Sequence, residues 1–107
     1  MSKGSERAVA GVFFALGDPT RLAVVRKLGS RAQSATVLAG GARVTRQAIV
    51  KHLQVLEGAG LVTREKQGRE VLYQLDPGRL NDARQFIDAV SASWDRAIAR
   101  LRELVER

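Results

Sequence analysis

The chain has no cysteine and a single histidine, His52. Without cysteine there can be no disulfide, thiolate metal site, cysteine nucleophile or thiol switch. One histidine cannot build a soft-metal site that needs three or four ligands. Nucleophilic triads, zinc hydrolases and most acid–base pairs need His, Cys or clustered carboxylates in a pocket, and neither common glycine-rich phosphate loop occurs. These absences argue against an enzyme and against a metal or other cofactor. No stretch reaches the roughly 18 unbroken apolar residues needed to span a bilayer. The start, Met1-Ser2-Lys3-Gly4-Ser5-Glu6-Arg7, lacks a signal-peptide apolar region. A cytosolic protein without a membrane partner is expected.

Acidic residues are also few: 11 Asp plus Glu against 18 Lys plus Arg leave a formal charge of +7. Such a charge favours approach to a polyanion, either nucleic acid or an acidic membrane. The placement of the charges must decide between them. The 107 residues suffice for one domain, 1–107. A lone domain of this size buries only about two-thirds of its unfolded surface, so a partner subunit would help.

Ala8, Val9, Val12, Phe13 and Leu16 recur at helical spacing, predicting a first helix over about 5–16 closed by Gly17. Asp18-Pro19 reads as an N-cap followed by proline at the first helical position. Leu22, Val25 and Leu28 supply the stripe of this second helix. Ser34 can cap a short third helix carrying Val37 and Leu38, stopped by Gly40-Gly41. Thr45 can cap a fourth over 45–57, with Ile49, Leu53 and Leu56 facing inward and Gly58 and Gly60 at its end.

From Leu61 the period changes to two. Val62, Arg64 and Lys66, a turn at Gly68, then Val71, Tyr73 and Leu75 predict a β-hairpin over 62–75, broken by Asp76-Pro77-Gly78. The last segment is one amphipathic pattern over about 79–105. Leu80, Ala83, Ile87, Val90, Trp94, Ala97, Leu101 and Leu104 form its stripe, widened by Phe86, Ile98 and Val105. At 1.5 Å per residue it would reach roughly 40 Å, beyond a domain about 30 to 35 Å across. Its apolar overhang needs a cover, and a homodimer seam is the simplest one. Val9, Val12, Phe13, Ile87, Val90, Trp94, Ile98, Leu101 and Leu104 are the candidate interface residues. The competing reading is a helix that packs only over its own core.

The order is mainly α with a small β-hairpin: two helices joined by a tight turn, then a basic hairpin, then a long helix. A winged helix-turn-helix requires this order. On the fourth helix Arg46, Gln47, Val50, Lys51 and Gln54 fall opposite the inward face. Arg46 and Lys51 can contact phosphate or guanine edges, Gln47 adenine edges, and Val50 the methyl of thymine. The helix start, capped by Thr45, offers free N–H groups to a phosphate, and His52 either packs at the helix surface or touches a phosphate. Arg64, Lys66 and Arg69 arm the hairpin, which can reach along the backbone or into a minor groove.

Ala15-Leu16-Gly17-Asp18-Pro19-Thr20-Arg21-Leu22 resembles the opening signature of the ArsR/SmtB family of winged-helix repressors. Thr45-Arg46-Gln47-Ala48-Ile49-Val50-Lys51-His52-Leu53-Gln54-Val55-Leu56 is similar to that family's recognition helix, and Gly68 to Pro77 to the return strand of its wing. The resemblance implies a dimer formed by the first and last helices and autorepression from an inverted-repeat operator. It also implies a place in a prokaryotic cytosol or nucleoid. The region where metal-sensing members carry a cysteine pair reads Ser34-Ala35-Thr36-Val37-Leu38-Ala39 here, so a metal-independent branch is implied.

The expected partners are double-stranded DNA and a second copy of the chain. A small-molecule effector is a third class that no residue identifies. The readings left beside sequence-specific repression are a winged-helix protein-interaction module and a non-specific DNA-coating protein.

Overall fold

The helix starts follow from caps. Asp18 is extended, at φ −144° and ψ 133°, and its carboxylate accepts from the Arg21 amide at 3.0 Å, with Pro19 in the first turn. Ser34 Oγ accepts from Val37 N at 3.2 Å and Thr45 Oγ1 from Ala48 N at 3.1 Å. Each hydroxyl or carboxylate satisfies one amide that the helix cannot. The computed structural model describes residues 3–41 and 43–106, so Met1, Ser2, Ala42 and Arg107 lie outside the description. Its elements run α1 (Lys3–Leu16), α2 (Pro19–Leu28), β1 (Gln33–Ser34), α3 (Ala35–Ala39), α4 (Arg46–Gly58), β2 (Val62–Gln67), β3 (Glu70–Leu75) and α5 (Pro77–Glu106).

One core forms where α1 to α4 meet the base of the sheet. Val12, Val24, Leu28, Leu38, Ile49, Leu53, Leu56, Leu61, Val62 and Tyr73 are buried in it, with Ala83 of α5. β2 and β3 pair antiparallel from Val62 opposite Leu75 to Gln67 opposite Glu70. The turn between them is Gly68-Arg69. Gly68 has φ +62° and, among the described residues, no non-glycine residue has positive φ, so the turn places left-handed backbone only where no Cβ is strained.

Four details differ from the sequence reading. The sheet has three strands in the order β1-β3-β2, because Gln33 and Ser34 pair with Tyr73 and Leu72. Two residues carry no period, so this strand had no pattern to read. Leu22 is about half exposed, whereas Val24 and Leu28 are buried; the inward face of α2 is turned by its packing on β3 and α4. Pro77 begins α5 rather than separating it from the hairpin: the Asp76 carboxylate accepts from Gly78 N at 3.0 Å, and the proline sits at the first helical position.

The fourth concerns the seam. Val9 and Val12, expected at a dimer interface, are 3% and 0% exposed and buried within the protomer. α1 lies along the start of α5, and packing of Phe13 edge-on to Phe86, with ring centroids 5.9 Å apart, turns that flank of α1 inward.

Beyond this contact α5 leaves the body. Only Ala83 among its 30 residues is buried. The radius of gyration is 18.2 Å, against about 13 Å for a compact chain of this length, and the longest dimension is 68 Å. Ile87, Val90, Trp94, Ile98, Leu101 and Leu104 are all exposed along the projecting helix. Among the described residues no single helix is long and apolar enough to cross a membrane.

Candidate nucleic-acid interface

α3 and α4 form the helix-turn-helix, and β2–β3 project beside it as a wing. Ile49, Leu53 and Leu56 are at most 1% exposed, which fixes the rotation of α4 and leaves Arg46, Gln47, Lys51 and Gln54 exposed on its other side. Val50 is half-buried against the edge of the core. Thr45 is exposed at the cap, with its hydroxyl engaged by Ala48 N. These placements follow from the 3.6-residue period once one stripe is anchored.

On the wing, Arg64 stands opposite Tyr73 and Lys66 opposite Val71, so both lie on the sheet face shared with the core, farther out along the ribbon. Arg69 is exposed in the turn. The Glu57 carboxylate sits 3.5 Å from Arg64 Nε and ties the wing to α4. Arg64 is largely exposed and Glu57 only half-buried, so the pair is worth little as stability, but it orients the wing's first arginine. Between α3, α4 and the wing runs a groove of about 450 Å³ that brings together Arg46, Val50, Arg64 and Arg69. Lys51, Gln54 and Lys66 do not line it. The sequence reading did not anticipate Thr36, which does: its Oγ1 accepts from Arg46 Nε at 3.2 Å.

A helix-turn-helix domain family matches residues 16–65. The HTH-type transcriptional regulator Rv2034 of Mycobacterium tuberculosis is 36% identical over 92 residues, covering 86% of this chain and 83% of that protein. The solved structure of an ArsR-like transcriptional regulator from Rhodococcus sp. RHA1 is 40% identical, with a TM-score of 0.82 over 94% of this chain and 95% of the other. This chain belongs to the ArsR/SmtB family of transcriptional regulators.

The HTH-type transcriptional repressor SmtB of M. tuberculosis is 37% identical over 84 residues, 78% of this chain, and the match spans only 61% of the SmtB length. The absence of cysteine fits the metal-independent branch of the ArsR/SmtB family.

In this ArsR-family chain His52 is half-buried and engaged with α2. Arg21 Nη1 lies 3.2 Å from His52 Nδ1, and Asp18 Oδ2 lies 3.8 Å from the same nitrogen. Arg21 also donates through Nε to the Ala15 carbonyl and through Nη2 to that of Phe14 at 3.3 Å. One arginine thus joins the end of α1, the cap of α2 and the middle of the recognition helix. His52 was expected at the helix surface or on a phosphate. Its Nδ1 side is taken up by this junction.

The Arg21 amide donating to the Asp18 carboxylate holds that carboxyl below its ordinary pKa. Partial burial opposes the shift, and the charges of His52 and Arg21 assist it. A folded-state pKa below the unfolded one gives stability that is full above about pH 4, the unfolded value, and is lost as pH falls through the folded value. Asp18→Asn keeps an oxygen that can cap but cannot titrate. The denaturation midpoints of the two chains, measured from pH 7 downward, are expected to differ by a constant amount above about pH 5 and to converge below about pH 4. A difference that persisted unchanged into acid would remove Asp18 from the pH response.

Proposed function

We propose that this protein is a homodimeric repressor that binds double-stranded DNA sequence-specifically at an inverted-repeat operator. The observation carrying this reading is the division of α4 into a buried apolar stripe and an exposed face of Arg46, Gln47, Lys51 and Gln54 beside an arginine-bearing wing. α4 enters the major groove, where Gln47 reads an adenine edge, Lys51 a guanine edge or phosphate, and Val50 a thymine methyl. Arg64, Lys66 and Arg69 follow the backbone or the adjacent minor groove.

The second copy covers the apolar face of α5 that the protomer leaves in water. Phe13, Ile87, Val90, Trp94, Ile98, Leu101 and Leu104 are its contact residues. Two-fold symmetry then sets half-site centres about one helical turn, 10 to 10.5 base pairs, apart or a multiple of that.

Selection of genomic fragments by the purified protein, at about 150 mM salt with excess competitor DNA, tests the reading. It is expected to recover a short inverted repeat. Gln47→Ala is expected to recover the same repeat with preference relaxed at one base per half-site, a loss of roughly 1–3 kcal/mol of discrimination there. Random fragments lost as salt rises would instead mark a DNA-coating protein, and recovery of nothing a protein-interaction module.

A further inference from the structure

A helix seated in the major groove and a hairpin reaching the next minor groove stand on either side of one sugar–phosphate strand. In this fold a groove between the start of α4 and the inner face of the wing lies on the path of that strand. We propose that this groove is a seat for a DNA phosphodiester segment, in which Thr36 acts as a positioning residue that holds Arg46 on a phosphate rather than a base edge. The inference rests on the DNA-binding reading above and assigns a role within it.

The lining has the chemistry of such a strand. Arg46, Arg64 and Arg69 face one carboxylate, Glu70, and Arg64 is shared with Glu57 at 3.5 Å. Val37 and Val71, both partly exposed, and half-buried Val50 give the walls apolar patches suited to deoxyribose. Arg46 is the first residue of α4, so its charge adds to the free amides of a 13-residue helix, where anions are favoured. The bond from Arg46 Nε to Thr36 Oγ1 crosses from α3 to α4. It engages the inner edge of the guanidinium and leaves Nη1 and Nη2 to grip phosphate oxygens, a geometry in which Arg is favoured over Lys. Because the rotamer is fixed before DNA arrives, less side-chain freedom is lost on binding.

The test uses the full-length chain and two probes: a fixed duplex of about three helical turns with arbitrary sequence, and a pool of randomised duplexes. Binding to the fixed duplex is followed from about 50 to 200 mM salt. Arg46→Ala is expected to reduce the magnitude of the log K against log salt slope by about 0.9, one phosphate contact. It should leave the bases selected from the pool unchanged. Arg46→Lys should keep the slope. Thr36→Val should weaken binding to all sequences alike, by about threefold to tenfold, and Thr36→Ser should restore it. Should Arg46→Ala disturb folding, Arg69→Ala in the wing turn reads the same slope.

An unchanged slope in both arginine variants, or a shifted base preference in Arg46→Ala, overturns the backbone seat while leaving the wild-type chain a DNA-binding protein. A wild-type chain that binds neither probe overturns the seat and the DNA-binding reading together.

Discussion

In the proposed homodimer, Leu101→Glu is expected to give a monomer at micromolar concentration and to weaken operator binding by about 10²- to 10⁴-fold. Leu101 is 61% exposed in the protomer and lies on the same face of α5 as Trp94, at 65%, and Leu104, also at 65%. Burying one such side chain is worth about 1.5–3 kcal/mol, and in the proposed two-fold dimer every substitution counts twice. A carboxylate placed there would have to be desolvated in both subunits without a partner.

The DNA effect follows from geometry rather than from contact, since Leu101 is far along a helix that leaves the DNA-binding body. Two linked half-site readers bind the second half-site intramolecularly, and monomers lose that effective concentration. Sedimentation and DNA titration on the same preparation check both parts. Gln85→Glu, on the opposite face of α5, is expected to change neither. A Leu101→Glu chain that stayed dimeric and bound the operator normally would show that the stripe is covered by something else.

Leu53→Ala is expected to cost roughly 2–5 kcal/mol of stability and to lower the thermal midpoint by roughly 10–30 °C. Leu53 has no exposed surface and packs at the centre of the core, where the inward face of the recognition helix meets α1, α2 and the sheet. The cavity left by truncation cannot be filled without moving α4. Small domains are stable by only about 5–15 kcal/mol, so the loss is a large share of the total.

Gln54→Ala, one residue along and exposed, is expected to stay within about 0.5 kcal/mol of the parent in stability. Denaturation of the two variants at equal protomer concentration checks the contrast, because a dimer's midpoint depends on concentration. If Leu53→Ala cost no more than Gln54→Ala, the rotation assigned to α4 would be wrong, and with it the face assigned to DNA.

Much of this was legible in the residues because it is local. Asp18, Ser34 and Thr45 announce the starts of α2, α3 and α4, since each cap needs only its own oxygen and an amide three residues on. The stripe Ile49, Leu53 and Leu56 fixes both faces of α4, because a helical period carries its own geometry. Gly68 between two alternating runs places the wing's turn. The order of the elements followed from these periods and caps, and the family resemblance around Asp18-Pro19-Thr20-Arg21 and α4 agrees with it, as do the comparisons.

What the sequence could not supply depends on side chains distant along the chain. Nothing local tells Val9 and Val12 from Phe13; only the packing of α1 along α5 decides which flank is buried. Thr36 and Arg46 are ten residues apart, and Arg21 and His52 thirty-one, so neither pair follows from any helical or strand period. Nor could the two-residue β1 be foreseen, since it exists only because β3 presents an edge to pair with. The sequence by itself determined the helices, their caps, the wing and the family, because those rest on short-range periods and hydrogen bonds. The tertiary structure alone decided which apolar residues are enclosed and which polar ones meet, because burial and contact are set by how the elements dock.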